Sequence, residues 1–254
     1  MSRWRTIRSD LREIRPAHVA RWLKNSLTEG WYFSGDESSR DRVRLLLHNY
    51  NANIVANWIG GTFFTGLLLL MDADDGFIGM TTMISTAANM LQMFTPLLLE
   101  RFPRRKVLLL TLYAIMMALN ILFIGLIPLF PMQQQARLAL VAATILAVNV
   151  INALISSGIS IWHVQSLRPN VRNAFFSLVS MTVGAVVAII NLVGSGIVDL
   201  FRLQGMEYEG LMLLRVLSAI LMGINIVTIA KIREYPYHTS EKKFTLSDVF
   251  IKPL

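Results

Sequence analysis

Six apolar blocks, near residues 46–71, 76–99, 107–130, 137–163, 174–200 and 211–232, alternate with short polar gaps along this chain. Each is close to the ~20 residues that a helix needs to cross ~30 Å of hydrocarbon. The pattern predicts an all-α, polytopic membrane protein with six transmembrane helices. It divides the chain into a polar segment (1–44), a helix bundle (45–233) and a polar tail (234–254). In the first segment Trp4, Ile7, Leu11 and Ile14 recur at helical spacing among Arg3, Arg5, Arg8, Arg12 and Arg15. That is a basic amphipathic helix suited to lying on a membrane surface. Ser34–Ser39 then reads as a linker ending in helix-capping residues.

The gaps set the direction of the spans. With the amino terminus inside, 21 of the 24 Lys and Arg residues fall on the inner side, leaving only Arg137, Arg202 and Arg215. This asymmetry predicts cytoplasmic termini and a plasma-membrane location of the bacterial inner-membrane type. The outer gaps are Asp72–Asp75, Pro131–Gln135 and Gln204–Gly210. The acidic trio Asp72, Asp74 and Asp75 resembles the start of a calcium loop, but the closing glutamate is missing and a solvated turn is the expectation.

Composition agrees: 54% of residues are hydrophobic and 16% charged, against roughly 25% charged in a soluble domain. The net charge of +8 sits beside the spans, so the lipid bilayer accounts for it and no nucleic-acid partner is expected. The absence of cysteine excludes disulfides, thiol catalysis and thiolate metal sites. No phosphate-binding loop, catalytic carboxylate pair or nucleophile triad appears, so neither an enzyme nor a metal or cofactor is expected.

Polar side chains inside the spans carry the remaining chemistry, because each is costly in hydrocarbon unless it meets a partner or a wet cavity. Asn49, Asn53 and Asn57 share one face of the first span, continued by Gly60 and Gly61. Asn149, Asn152, Ser156, Ser160 and His163 form a stripe down the fourth, and Thr82, Ser85, Thr86, Asn89 and Gln92 one on the second. Asn120 stands alone at the centre of the third. We read Asn53, Asn57, Asn149, Asn152 and Ser156 as a water-filled path for a small uncharged or zwitterionic solute, in preference to hydrogen bonds that only join helices. His48 and His163 are expected near the inner ends of spans one and four, most simply at the headgroup level, the competing reading being that they meet at a cytoplasmic mouth. Asp199, Glu209 and Arg215 are expected to pair near the outer ends of spans five and six. Gly194-Ser195-Gly196 predicts close helix packing. No acidic residue lies in the middle of a span.

The loop between spans two and three reads Pro96-Leu97-Leu98-Leu99-Glu100-Arg101-Phe102-Pro103-Arg104-Arg105-Lys106. It resembles the Gly-x-Leu-x-Asp-Arg-x-Gly-Arg-Arg/Lys signature of the major facilitator superfamily. Leu98, Arg101, Arg104 and Arg105 fit; Glu100 replaces the aspartate, and Pro96 and Pro103 replace the glycines. Pro169 and Arg172, between spans four and five, resemble a second turn of that family's bacterial members. The resemblance implies the amino-terminal six-helix half of a transporter that works by alternating access. It also implies a cavity lined by spans one and four. By the same resemblance Glu100, Arg101, Arg104 and Arg105 form a gating loop that holds inner helix ends together. The partner it implies is a second six-helix half, either a missing carboxy-terminal half or a homodimer mate. The tail from Phe244 looks like the start of an inter-half linker. The competing reading is a non-transporting membrane scaffold or assembly protein whose polar stripes only join helices.

Overall fold

The computed structural model describes residues 37–95, 105–167 and 172–233, and every regular element among them is helical. The first helix, α1 (Glu37–Ile59), begins well before the first apolar block. Hydropathy marks where a chain enters hydrocarbon, whereas α1 carries its charged first turns outside it. At Gly60 the helix breaks and restarts as α2 (Gly61–Leu69). Gly61 has φ +51°, and a Cβ on Gly60 would lie 2.7 Å from the Ala56 carbonyl oxygen, so both positions of the break demand glycine.

The acidic turn follows. Asp72 has φ +56°, its carbonyl accepts from Gln134 Nε2 at 2.7 Å, and Asp74 Oδ1 accepts from the Phe77 N–H at 2.7 Å. Asp74 is therefore the N-cap of α3 (Asp75–Asn89). Among the described residues no three His, Asp or Glu side chains gather as a metal site. α3 tightens into a 3₁₀ segment, Met90–Phe94, and Thr95 Oγ1 donates to the Ala153 carbonyl at 3.0 Å.

α4 (Arg105–Ala118) runs into a π-helical turn (Leu119–Phe123), one α turn (Ile124–Leu126) and a 3₁₀ turn (Ile127–Leu129). α5 (Gln134–Gln165), α6 (Arg172–Leu203) and α7 (Glu207–Ala230) complete the bundle. Among the described residues five stretches are long and apolar enough to cross a membrane: Arg40–Leu69, Arg105–Leu129, Gln134–Gln165, Arg172–Leu203 and Glu207–Ala230. The chain is thus a multi-pass helical membrane protein. The block expected at 76–99 is described as α3 and its 3₁₀ extension and is not among the five. Glu100, Arg101, Arg104, Pro169 and the segments 1–36 and 234–254 lie outside the described residues.

α7 packs against α1, α6 and α4; α1 also packs against α6; α5 packs against α3 and α4. Three apolar clusters stack along the bundle. Trp58, Phe63, Leu67 and Leu214 lie toward the acidic end, Val55, Tyr113, Val148 and Met222 in the middle, and Leu45, Trp162, Phe175 and Ile229 toward the basic end. Tyr50 Oη donates to Thr182 Oγ1 at 2.7 Å, Asn191 Nδ2 to Asn57 Oδ1 at 3.2 Å and Trp58 Nε1 to the Ile190 carbonyl at 3.3 Å, joining α1 to α6.

The basic end is closed by the carbonyls just past α7. Arg44 Nη1 donates to Lys231 O at 2.8 Å, Lys106 Nζ to Ile232 O at 2.6 Å and Trp162 Nε1 to Arg233 O at 2.8 Å. Carbonyls at a helix end have no partner in the helix and carry partial negative charge. Donors from α1, α4 and α5 supply the partners and draw four helices together.

Candidate functional site

A cavity of about 290 Å³ lies among α1, α2, α3, α4 and α5. Its polar lining is Ser85, Asn120, Asn149 and Asn152; Ile59, Phe64, Met117 and Val148 supply apolar wall, and Gly60 also lines it. Two backbone irregularities meet there, the α1–α2 break at Gly60 and the π turn that carries Asn120. In a membrane, irregular backbone is tolerated where it is buried in protein or lines a cavity, and π turns are frequent at functional sites.

The predicted path residues divide between two places. Asn149 and Asn152 line the cavity. Asn57 is turned instead toward α6, where its Oδ1 accepts from Asn191. Asn53 Nδ2 donates to Asn49 O at 2.8 Å and Asn57 Nδ2 to Asn53 O at 2.8 Å, so both amides are held against their own helix. Ser156 Oγ reaches the Ala153 carbonyl at 3.5 Å, one turn back along α5. Asn120 and Ser85, which sequence reasoning left outside the path, complete the polar lining. The available signal was their depth, since each lies near the middle of its apolar block. Arg105 opens α4, and Arg172 Nε donates to the Leu167 carbonyl at 3.0 Å across the start of α6.

Arg215 departs from its expected role. It makes no ion pair with Asp199 or Glu209; Arg202 instead pairs with Asp199 at 3.9 Å and with Glu207. Arg215 is 3% exposed and donates from Nη1 to the carbonyls of Asn120 (2.7 Å) and Ile121 (3.3 Å). A π turn leaves a carbonyl without its usual helical partner, and the guanidinium occupies that position. Gly125 makes room for it: a Cβ there would lie 2.9 Å from Arg215 Cδ. Tyr208 Oη donates to the Gly125 carbonyl at 3.0 Å. Asn120 therefore offers its carbonyl to Arg215 and its side chain to the cavity, and α7 positions a cavity-lining amide on α4.

Toward the basic end the two spans' histidines meet, with His48 and His163 ring centroids 4.7 Å apart and edge to face. His48 Nδ1 lies 2.9 Å from Asn225 Oδ1, and Asn225 Nδ2 donates to Tyr113 Oη at 3.4 Å. The chain matches no family profile, no curated protein and no solved structure.

Proposed function

We propose that this chain is a six-span half of a secondary transporter of the major facilitator type, moving a small solute by alternating access against a second half. The observation that carries this reading is the amide-lined cavity between spans one, two, three and four, beside a broken helix and a π turn and lined from the central parts of those spans. Transporters of this kind bind at the bilayer midplane, commonly at discontinuous helices. Three amides and a hydroxyl offer uncharged polar groups, with the Ser85 hydroxyl donating to Thr81 O at 3.1 Å and Asn149 Nδ2 to Ile145 O at 2.8 Å, so acceptors and the remaining amide hydrogens face an uncharged or zwitterionic solute. At about 290 Å³ the cavity stands at the small end of ligand pockets.

The helix pairing supports the same reading. Span one (α1, α2) packs on spans five and six (α6, α7), span four (α5) packs on spans two and three (α3, α4), and spans three and six pack on each other. Exchanging one with four, two with five and three with six interchanges these pairings, while the packing of span five on span six has no counterpart of like extent between spans two and three among the described residues. The exchanged triplets run in opposite directions, the inverted three-plus-three repeat nested in such halves. The same exchange relates α3 and α6, which bury few residues: Thr81 and Ala88 in one, and six of 32 in the other. Those open faces are assigned to lipid and to the second half. Charge bias makes the basic end cytoplasmic.

The test is solute flux in proteoliposomes holding the full chain together with a second half, across neutral and zwitterionic solutes. The double variant Asn149→Leu, Asn152→Leu should abolish flux while leaving the far-UV spectrum and melting of the bundle near the parent's. Undiminished flux in a folded variant would place the solute elsewhere and favour the scaffold reading of these amides.

A further inference from the structure

We propose that His48 and His163 form a proton-operated closure between α1 and α5 on the basic side of the cavity. Along α5, His163 lies eleven residues beyond Asn152, about 16 Å at 1.5 Å per residue. Along α1, His48 lies eight residues before the cavity residue Ala56, about 12 Å. The ring pair thus stands between the cavity and the basic end, on the two spans that face each other across it.

The pair is built to hold neutral rings and to register a proton. With Asn225 Oδ1 accepting, His48 Nδ1 carries its hydrogen and Nε2 keeps a free lone pair. His163 Nε2 is buried with no hydrogen-bond partner, so a second basic nitrogen is available. Among the described residues no carboxylate faces the pair to compensate an added charge. The titratable groups facing the pair are Tyr113 from α4 and each other, and α7 contributes the neutral Asn225. On α1, Asp41 is engaged by Arg44 at 3.0 Å. Lys106 of α4 is held at Ile232 O and over the Trp162 ring at 5.7 Å. α6 meets α1 two residues on, through Thr182 and the phenol of Tyr50.

A proton taken from water onto either Nε2 forms an N–H bond and leaves a charge that this buried ring contact does not solvate. A second proton sets like charge against like charge at 4.7 Å between rings. Both are relieved when the rings part and water enters. By linkage, a ligand bound better by the open form draws the population toward it. Acidification at the basic end therefore separates α1 from α5 and opens the cavity on that side. Proton binding and the ring separation require no solute and stand apart from the transport reading.

The full chain in lipid nanodiscs, labelled with ¹⁵N-histidine, reports protonation of the four histidines, with His48→Gln and His163→Gln assigning two of them. Spin labels at Leu47→Cys and Val164→Cys, both exposed positions beside the pair, report the spacing in this cysteine-free chain. Between pH 8.5 and 4.5 at least one of the two rings should gain a proton. The label distance should grow by roughly 2 Å, the scale of helix shifts in switching proteins. His163→Gln should remove most of that change. The inference is overturned if both rings stay neutral in the unsubstituted chain, or if the distance does not follow their titration. It is also overturned if the distance change survives both glutamine substitutions. Proton uptake with full separation but no flux with a second half would leave this inference standing and sink the transport reading.

Discussion

Arg215→Ala is expected to destabilise the assembled bundle by about 3 kcal/mol. Two contributions add. The carbonyls of Asn120 and Ile121 lose their donor, at ~1–3 kcal/mol for each stranded buried group. The space beside Gly125 is emptied as well, and deleting a long buried side chain typically costs ~2–5 kcal/mol. Relief of the buried charge does not offset this in full. α7 already spans the membrane before it packs, so much of the ~2.5–3.5 kcal/mol for an arginine in a span is present in both states. Hydrogen bonds inside membranes average only ~0.6 kcal/mol, which keeps the expected total near the low end. Arg215→Lys should fall between parent and alanine variant, because both bonds come from the one nitrogen Nη1, which an ammonium can replace as a donor but only from a differently shaped, non-planar head. Unfolding of the purified chain in mixed micelles measures the loss, and hydrogen exchange at Leu119–Phe123 shows whether the π turn has reverted. An alanine variant as stable as the parent, with exchange unchanged, contradicts the assigned role.

Gly194→Leu should be comparably severe for a different reason. A Cβ at Gly194 would lie 2.8 Å from Trp58 Nε1, 3.1 Å from Phe63 Cζ and 3.3 Å from Trp58 Cδ1. Both rings are buried in the cluster that joins α1 and α2 to α6, so they cannot swing aside as a flexible side-chain end does. Overpacking of this kind costs ~1–3 kcal/mol and sometimes more. Forcing α6 outward also weakens three hydrogen bonds, Tyr50–Thr182, Asn57–Asn191 and Trp58–Ile190. The control is two residues away: a Cβ at Gly196 meets nothing within 4 Å, and Gly196→Leu should change stability by less than about 0.5 kcal/mol. Equal effects from the two variants in the same unfolding assay would refute the packing assignment.

That pair shows what was legible in the chain. Gly194-Ser195-Gly196 announced close packing, but only the fold tells which glycine faces the indole. The spans were readable because hydrocarbon imposes length and composition on any helix that crosses it. Their ends were less so: Glu37 opens α1 well before the apolar block, since a helix need not stop where lipid does. Asn49, Asn53 and Asn57 lie one turn apart, which reads as a shared face. In the fold each of these amides donates one turn back to its own backbone, as the cavity-lining Asn149 also does to Ile145 O, so what separates them is which neighbour the helix turns that face to. The path residues Asn149 and Asn152 reach the cavity because α5 turns that face to α3 and α4. Asn120 joins them from a span with no polar stripe, and Ser85 from the stripe on the second span that was not read as part of the path. The Gly60-Gly61 pair is a turn signal that the surrounding apolar run concealed. The π turn has no signature of its own. Its trace in the sequence is indirect, an arginine at the fifth position of the last apolar block, which the nearby Glu209 disguised as half of an ion pair.

The central claim is that the cavity lined by Asn120, Asn149 and Asn152 is a wet solute path and not a dry seam between helices. The chain contains no cysteine, so a single introduced thiol reports its own surroundings. Asn152→Cys lines the cavity, while Leu146→Cys lies on the same helix at an exposed apolar position. In proteoliposomes, a charged, membrane-impermeant thiol reagent should modify the Asn152→Cys variant and leave the Leu146→Cys variant unmodified. If both stay unmodified from either face of the membrane, the cavity is closed to water and the transport reading is contradicted.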